Sequence, residues 1–269
     1  MKSFLKSLFI LCGAVLLSGQ TQDGESAEPS PGSSKISVVN DYTYAFNRLS
    51  VVEIPETVTN IKYAAYRNNN LTNISIPNTV VSISGWAFSN NKLTSVVIPV
   101  SITSIGQGAF AGNLLTNISL PKYIESIDDL TFANNRLTSI ELPPDLGGIG
   151  AKAFINNRIG RVKFPKSLRY IGNEAFANNK LDALDIPASV QYIGAYAFKN
   201  NKLIQLTIPG GVKIDEYAFI GNPLKTITVG RNALISEWSL GESFYRCYVS
   251  MNRMAGVYVV NGGKWYLRG

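Results

Sequence analysis

Basic side chains recur at one position of a regular spacing and are the residues best placed to bind a ligand. Each directly precedes a leucine or isoleucine, and we call the set the basic column: Arg48, Lys92, Arg136, Arg158, Lys180 and Lys202. Four of them, from Arg136 to Lys202, follow one another every 22 residues. If they stack at the spacing of β-strands, about 4.8 Å, neighbouring charges repel one another.

This repulsion leaves two interpretations of the basic column. In the first, a turn needs a long, soluble side chain at this position and the charge has no further role. In the second, the consecutive cations form a stripe that binds a linear polyanion, such as a sulfated glycosaminoglycan or an acidic protein segment.

Arg161 is a further candidate cation, in a neighbouring row of outward-facing residues. No acidic residue occupies the equivalent position on the adjacent strands. With it, the candidate ligand-binding residues are Arg136, Arg158, Arg161, Lys180 and Lys202. Lys163 of the same strand is instead expected to lie between Glu141 and Asp185 and to pair with them across strands.

The residue types on which enzymes most often depend are missing or unremarkable here. The sequence has no histidine, which removes the commonest general base, the Ser-His-Asp arrangement and nearly every zinc site. Gly148 and Gly150 imitate a dinucleotide-binding loop, but the repeat accounts for them. The acidic pair Asp128 and Asp129 belongs to no calcium-loop pattern, and a hydrolase that uses only carboxylates is a minor alternative. We therefore expect no catalytic site, no cofactor and no metal.

The spacing of the basic column belongs to a repeat that covers most of the chain. Prolines fall every 22 residues, at Pro55, Pro77, Pro99, Pro121, Pro143, Pro165, Pro187 and Pro209. A leucine or isoleucine lies six residues before each proline, and an Ala-Phe pair closes most units. Such a repeat predicts a solenoid, because one unit cannot bury its apolar side alone whereas stacked units share one interior.

Each unit predicts the same local structure. Apolar residues alternate with polar ones, as at Leu93, Val96 and Ile98, which indicates a short strand that ends at the proline. An asparagine three residues after each phenylalanine predicts an internal ladder whose amides satisfy backbone groups. A recurring glycine indicates corners where a side chain would clash, and we call these residues the glycine column: Gly106, Gly150, Gly172 and Gly194.

Units such as the run from Asn90 to Pro99, followed by the pattern Ile-Gly-x-x-Ala-Phe, resemble the BspA-like leucine-rich repeats of bacterial surface proteins. The resemblance covers about residues 44–230. It implies an α/β leucine-rich-repeat solenoid, a curved, right-handed stack of 22-residue units with parallel strands on the concave face and little helix.

The resemblance also implies a function in attachment. We expect an exported, non-catalytic, adhesin-like protein that contacts host matrix proteins, glycans or other cells through an extended surface. The alternative is a structural envelope protein that binds a bacterial partner. The family has no fixed binding motif, so the resemblance assigns no site residue.

The first 19 residues have the pattern of a secretory signal peptide. Lys2 and Lys6 precede an apolar run over residues 8–17 that is too short to span a bilayer comfortably, and small residues follow it. Cys12 lacks the small preceding residue that lipid attachment needs. Export predicts a protein of the cell surface, the periplasm or the medium, without a membrane span. It also argues against nucleic acid as a partner, despite a net charge of +7.

The rest of the chain divides into three parts. Residues 20–34 are rich in Ser, Pro and Gly and are expected to be a flexible linker. Residues 35–230 form the expected solenoid, which starts with a degenerate unit in which Phe46 lies three residues before the leucine instead of five. Residues 231–269 are expected to form a C-terminal cap with a short helix and a β-hairpin. Removal of the signal peptide would leave Cys247 without a second cysteine for a disulfide.

Overall fold

The chain winds into a solenoid whose coils stack at intervals of about 22 residues. The computed structural model describes residues 38–268, so the expected signal peptide at 1–19 and linker at 20–34 lie outside the described residues. The described part has about nine coils, parallel strands and little helix, which confirms the prediction of an α/β leucine-rich-repeat solenoid. Within this part, no helix combines the length and the apolar composition that crossing a membrane requires.

Most coils contribute a two-residue strand to what we call the long ladder. Its strands are β1 (Val38–Val39), β2 (Asn60–Ile61), β3 (Ser82–Ile83), β4 (Ser104–Ile105), β5 (Ser126–Ile127), β7 (Gly148–Ile149), β9 (Tyr170–Ile171), β10 (Tyr192–Ile193), β12 (Lys213–Ile214) and β14 (Leu234–Ile235). They pair in parallel as two sheets. One contains β1 to β4, and the other contains β5, β7, β9, β10, β12 and β14. The second residue of each strand is buried and the first faces outward. This ladder could not be predicted from the sequence, because strands of two residues are too short to show an alternation of apolar and polar residues.

The strands that the sequence did predict lie at another position along the coil, and we call them the short ladder. They are β6 (Ser139–Glu141), β8 (Arg161–Lys163), β11 (Gln205–Ile208) and β13 (Thr226–Val229). β6 pairs with β8 and β11 pairs with β13, both in parallel. Ile140 is buried between two exposed residues, as the alternation predicts. In the other coils of residues 38–268, the same positions form only an isolated bridge between Ser119 and Glu141.

One aromatic ring from each coil stacks on the next inside the solenoid. The rings belong to Tyr44, Tyr66, Phe88, Phe110, Phe132, Phe154, Phe176, Phe198 and Phe219, and successive centroids lie 5.2–5.8 Å apart. The first ring of the stack corrects the prediction of a degenerate first unit. Tyr44, the usual five residues before Leu49, fills the place that we had assigned to Phe46, whose side chain is 65% exposed.

An asparagine in each of eight coils, buried in all but the last of these, ties that coil to its neighbour, as predicted. The side chain of Asn157 accepts a hydrogen bond from the Leu137 N–H at 3.0 Å. It donates to the carbonyl oxygens of Phe132 at 2.9 Å and Phe154 at 3.2 Å. The same arrangement recurs through the rest of this asparagine ladder, at Asn69, Asn91, Asn113, Asn135, Asn179, Asn201 and Asn222. These asparagines are therefore structural residues.

The glycine column lies where one coil closely approaches the coil before it. A Cβ atom on Gly150 would lie 2.6 Å from the backbone nitrogen of Asp129, which is closer than real Cβ atoms come. The same short distance to a backbone nitrogen recurs at the other members of the column, Gly106, Gly172 and Gly194. The predicted steric reason for these glycines is confirmed.

Asp128 interrupts the glycine column, and the coils part locally at this place. The backbone N–H groups of Gly106 and Gly150 donate to carbonyl oxygens of the preceding coil at 2.8 and 2.7 Å. The N–H of Asp128 makes no such bond within residues 38–268. The long ladder is interrupted at the same point, between β4 and β5.

The stacked coils extend past residue 230, where the sequence analysis ended the repeats. Leu234–Ile235 continues the long ladder by pairing with β12, and Trp238 stacks on Tyr217 at 6.4 Å. This coil escaped recognition because Leu240 stands where earlier coils have phenylalanine, and the proline is also missing. The stacked coils thus continue to about Trp238, and we take the expected C-terminal cap to follow them.

The last described residues form helix α1 (Glu242–Ser250) and a hairpin of β15 (Gly256–Asn261) and β16 (Lys264–Arg268). β15 pairs antiparallel with β13 and so covers an edge of the short ladder. Phe244 and Tyr258 are buried and meet edge to face at 5.3 Å. We interpret this segment as a cap, because an open strand edge invites pairing with other chains.

Candidate ligand-binding surfaces

The basic column is exposed because each of its consecutive members stands between two buried residues. Arg136 lies between Asn135, which belongs to the asparagine ladder, and Leu137, which lies in the core. The same order of buried asparagine, exposed cation and buried aliphatic residue holds at Arg158, Lys180 and Lys202. The neighbours on both sides therefore direct these four side chains into solvent.

Backbone hydrogen bonds align the four cations on consecutive coils. The backbone N–H of each donates at 2.8–2.9 Å to the carbonyl oxygen of an aliphatic residue one coil earlier: Arg136 to Leu115, Arg158 to Leu137, Lys180 to Ile159 and Lys202 to Leu181. Successive positions are therefore separated by about one strand spacing, about 4.8 Å. Within residues 38–268 none of the four side chains lies within 4.0 Å of a carboxylate. The described chain thus leaves this row of charges uncompensated.

An exposed row of asparagines runs beside the four cations, two residues earlier in each coil. The side-chain amide of Asn156 donates to Asn134 at 2.7 Å, that of Asn178 to Asn156 at 2.7 Å and that of Asn200 to Asn178 at 2.8 Å. The surface on this side of the basic column is therefore polar and carries a continuous row of hydrogen-bonded amides.

Arg161, on β8, differs from the other candidate residues because it has an acidic partner. Its Nε lies 3.7 Å from Oδ1 of Asp182, which stands on the next coil at an adjacent position rather than in the same row. The two side chains are 84% and 57% exposed, so the pair contributes about 0–1 kcal/mol. Lys163 is in register with Glu141 as predicted, but the two form no ion pair within 4.0 Å.

Two findings within residues 38–268 concern metal binding and thiol reactivity. Residues 38–268 contain no group of three His, Cys, Asp or Glu side chains that could hold a metal ion. Burial raises the pKa of the Cys247 thiol on α1. Since the thiolate is the reactive form, this shift makes the thiol a weaker nucleophile at neutral pH.

A tyrosine pair on the outward face of the long ladder was not singled out by the sequence analysis. Tyr170 on β9 and Tyr192 on β10 have parallel rings, with centroids 5.2 Å apart and an interplanar angle of 4°. The Tyr192 hydroxyl donates to Oδ2 of Asp215 at 2.5 Å, and this bond, followed by burial, raises the pKa of Tyr192 to about 12. Lys213 lies 3.4 Å from the same carboxylate and 5.5 Å from the Tyr192 ring centroid. These contacts hold Tyr192 in place.

A shallow depression of about 410 Å³ opens beside the tyrosine pair, and Gln107, Ser126, Asp128, Gly148 and Tyr170 contribute to its lining. In the sequence, the signal for this surface is a change of residue type at one position of the repeat. The outward residues of β3, β4 and β5 are serines, whereas those of β9 and β10 are tyrosines.

The repeats match a known family model. The model described as the BspA type leucine-rich repeat region matches in six copies, over residues 37–159 and 127–250. No curated protein matches this chain at a significant level.

Solved structures of bacterial leucine-rich repeat proteins are similar in fold. A leucine-rich repeat protein from Eubacterium ventriosum shares 20% identity with a TM-score of 0.50, over 77% of this chain and 71% of that one. A leucine-rich cell surface protein from Faecalibacterium prausnitzii shares 22% identity, with a TM-score of 0.49 over 73% of this chain. A leucine-rich repeat protein from Bacteroides ovatus also shares 22% identity, with a TM-score of 0.46 over 74% of this chain and 69% of that one. The chain covers 62% of the Faecalibacterium protein, which is less than two thirds of its length.

Proposed function

Since the chain belongs to the BspA-type leucine-rich repeat family, we propose that it is an exported, non-catalytic binding protein. It acts as an adhesin-like module that contacts host matrix proteins, glycans or other cells. It works at the cell surface, in the periplasm or in the medium. Stacked coils support this role because they give a small protein a long, continuous surface for contact.

The observation that carries the proposal is the row formed by Arg136, Arg158, Lys180 and Lys202. Four exposed cations on consecutive coils repel one another, and no carboxylate of residues 38–268 lies close enough to offset the repulsion. A linear polyanion laid along the row would offset all of these charges at once. Arg161 adds a cation on β8 whose exposed partner Asp182 can be displaced.

A sulfated glycosaminoglycan fits this surface better than an acidic protein segment does. The row of hydrogen-bonded asparagines, from Asn134 to Asn200, gives the surface polar groups on one side of the cations. A protein partner would usually also bury aromatic or aliphatic anchors in a pocket. A sulfated chain needs only charges and polar groups along a line.

The proposal is tested by binding of the full chain to immobilised heparin and matrix proteins across a salt series. The test variant combines Arg136→Glu, Arg158→Glu, Lys180→Glu and Lys202→Glu. The matched control combines Lys62→Glu, Lys225→Glu, Arg231→Glu and Lys264→Glu, which changes the net charge equally at exposed residues outside the basic column. We expect heparin binding to weaken at least about tenfold between roughly 0.05 and 0.3 M salt, because exposed charges are screened. It should be lost in the test variant and largely retained in the control.

Three results would contradict this assignment. Equal losses in the two variants would mean that net charge, rather than the basic column, governs binding. Salt-tolerant matrix binding that the test variant retains would direct attention to the short-ladder face. No binding to heparin or matrix proteins would favour the structural envelope protein.

A further inference from the structure

The outward residues of the long ladder change abruptly along the solenoid. Ser104 and Ser126 are followed by Gly148, which has no side chain, and then by Tyr170 and Tyr192. The last four hold equivalent places on their coils, since Ser126 pairs with Gly148, Gly148 with Tyr170 and Tyr170 with Tyr192. Gly148, which has no side chain, therefore lies directly beside the exposed aromatic ring of Tyr170.

One face of the Tyr170 ring is covered and the other is free. Tyr192 stacks on the covered face at 5.2 Å and is itself fixed by its hydrogen bond to Asp215. The opposite face points toward the Gly148 position, because β9 lies between β7 and β10 in the sheet. Tyr170 is 43% exposed, so its aromatic face is accessible to a ligand.

Gly148 keeps the space beside Tyr170 empty. A Cβ atom built on Gly148 would meet no heavy atom within 4 Å, and its backbone is not in the left-handed region. Neither close packing nor backbone conformation therefore requires glycine here, in contrast to Gly150. The strands of Ser126 and Tyr170 lie two spacings apart, about 10 Å. The gap between them is wide enough for one flat ring stacked on Tyr170.

The far side of this gap carries polar side chains whose hydrogen-bonding groups are free. The side chains of Gln107, Ser126 and Asp128 make no hydrogen bond or ion pair to any residue within 38–268. Asp128 also stands at the break in the long ladder, between β4 and β5. Burial, followed by the charge of Asp129, raises the pKa of the Asp128 carboxyl.

We propose that Tyr170, Gly148 and Asp128 form a binding site for one pyranose ring of a neutral glycan. The C–H face of the sugar stacks on the negative face of the tyrosine ring. Its hydroxyl groups donate to the Asp128 carboxylate and exchange hydrogen bonds with Ser126 and Gln107. The aspartates disfavour an anionic sugar by charge repulsion. This site is distinct from the basic column and does not depend on polyanion binding there.

The test is saturation-transfer NMR and calorimetric titration of the full chain with cellohexaose and N-acetylchitohexaose. Gly148→Tyr should fill the gap with a third stacked ring and weaken binding at least about tenfold, and Tyr170→Ala should do the same by removing the platform. Tyr123→Ala, which removes a tyrosine that is 60% exposed elsewhere, is the matched control and should bind like the wild type. Asp128→Asn keeps the size of the side chain and should weaken binding about threefold or more.

Two outcomes would overturn the proposal. The first is the absence of saturation transfer to both oligosaccharides at about 10 mM, a concentration that detects even weak sites. The second is unchanged affinity in the folded Gly148→Tyr or Tyr170→Ala variant. A tryptophan-containing tripeptide is titrated in parallel. If it binds in the gap and the sugars do not, the surface contacts a protein side chain and the glycan assignment is wrong.

Discussion

Replacing Asn157 with alanine tests whether the asparagine ladder holds the coils together. The Leu137 N–H would lose its acceptor and stay buried, which costs about 1–3 kcal/mol. The carbonyl oxygens of Phe132 and Phe154 would each keep one bond, from Asn135 at 3.2 Å and Asn179 at 2.9 Å. The loss of the two hydrogen bonds that the Asn157 amide donates to these oxygens therefore adds only about 1 kcal/mol. We expect Asn157→Ala to lower the free energy of unfolding by about 2–4 kcal/mol.

Asn157→Asp gives the same prediction a pH signature. The introduced carboxylate still accepts from the Leu137 N–H, but its other oxygen faces the carbonyl oxygens of Phe132 and Phe154, where an amide now donates. Burial and this repulsion should raise its folded-state pKa above the ordinary value of about 3.9. The folded state then binds more protons than the unfolded state, so stability falls as pH rises from about 4 through the raised pKa. We expect a larger loss than for alanine at pH 7 and a smaller gap near pH 4.5.

Urea unfolding followed by far-UV circular dichroism and tryptophan fluorescence measures both variants against the wild type. The chain contains no histidine, so no imidazole titrates near pH 6 and adds its own pH dependence to the measured stability. Asn117→Ala is the matched control, since Asn117 is exposed and should change stability by less than about 0.5 kcal/mol. An Asn157→Ala loss no larger than that of the control, or an Asn157→Asp loss that does not vary with pH, would refute the reasoning.

Three further predictions follow from other features of the fold. Gly150→Ala should lower the melting temperature and reduce the free energy of unfolding by about 1–3 kcal/mol, because the new Cβ would lie 2.6 Å from a backbone nitrogen. Gly148→Ala should leave the melting temperature nearly unchanged, because its Cβ would meet no atom within 4 Å. Equal melting temperatures of the two variants would contradict the steric argument. With the other cysteine replaced, Cys247 should react with a disulfide reagent at pH 7 at least about tenfold more slowly than free cysteine. The reaction rate should increase with pH, and the midpoint of that increase should lie above the ordinary thiol pKa of about 8.5. A rate equal to that of free cysteine would show that the thiol is not shielded. Removal of residues 254–269 should expose the edge of β13 and cause self-association visible by light scattering, and a truncated chain that stays monomeric would argue against a cap.

The sequence revealed the parts of the fold in which one residue type recurs for one physical reason. Asparagine is recognisable every 22 residues because only a side chain with both donor and acceptor satisfies the bonds made at Asn157. The coil beyond residue 230 could not be recognised in this way. Leu240 fills the phenylalanine place with a different apolar residue and the proline is missing, so only Ile235, which pairs with Ile214, continues an earlier column.

The candidate sites differ in the same respect. The basic column could be predicted because charge and spacing are both written in the residue types. The gap beside Tyr170 could not, because it depends on empty space. Gly148 and Gly150 look alike in the sequence, yet a Cβ atom would clash at Gly150 and meet nothing at Gly148. Only the stacking of the coils distinguishes a glycine that is required from one that leaves room.

The reach of the asparagine ladder bears on how such a surface changes length over generations. Asn157 bonds to residues 3, 20 and 25 positions earlier, so all its partners lie within about one coil. A recombination event that duplicates or removes 22 residues leaves every remaining asparagine with equivalent partners. Each event would lengthen or shorten the stack by about 4.8 Å. Gene rearrangement alone can therefore lengthen or shorten the exposed surface before any side chain is substituted.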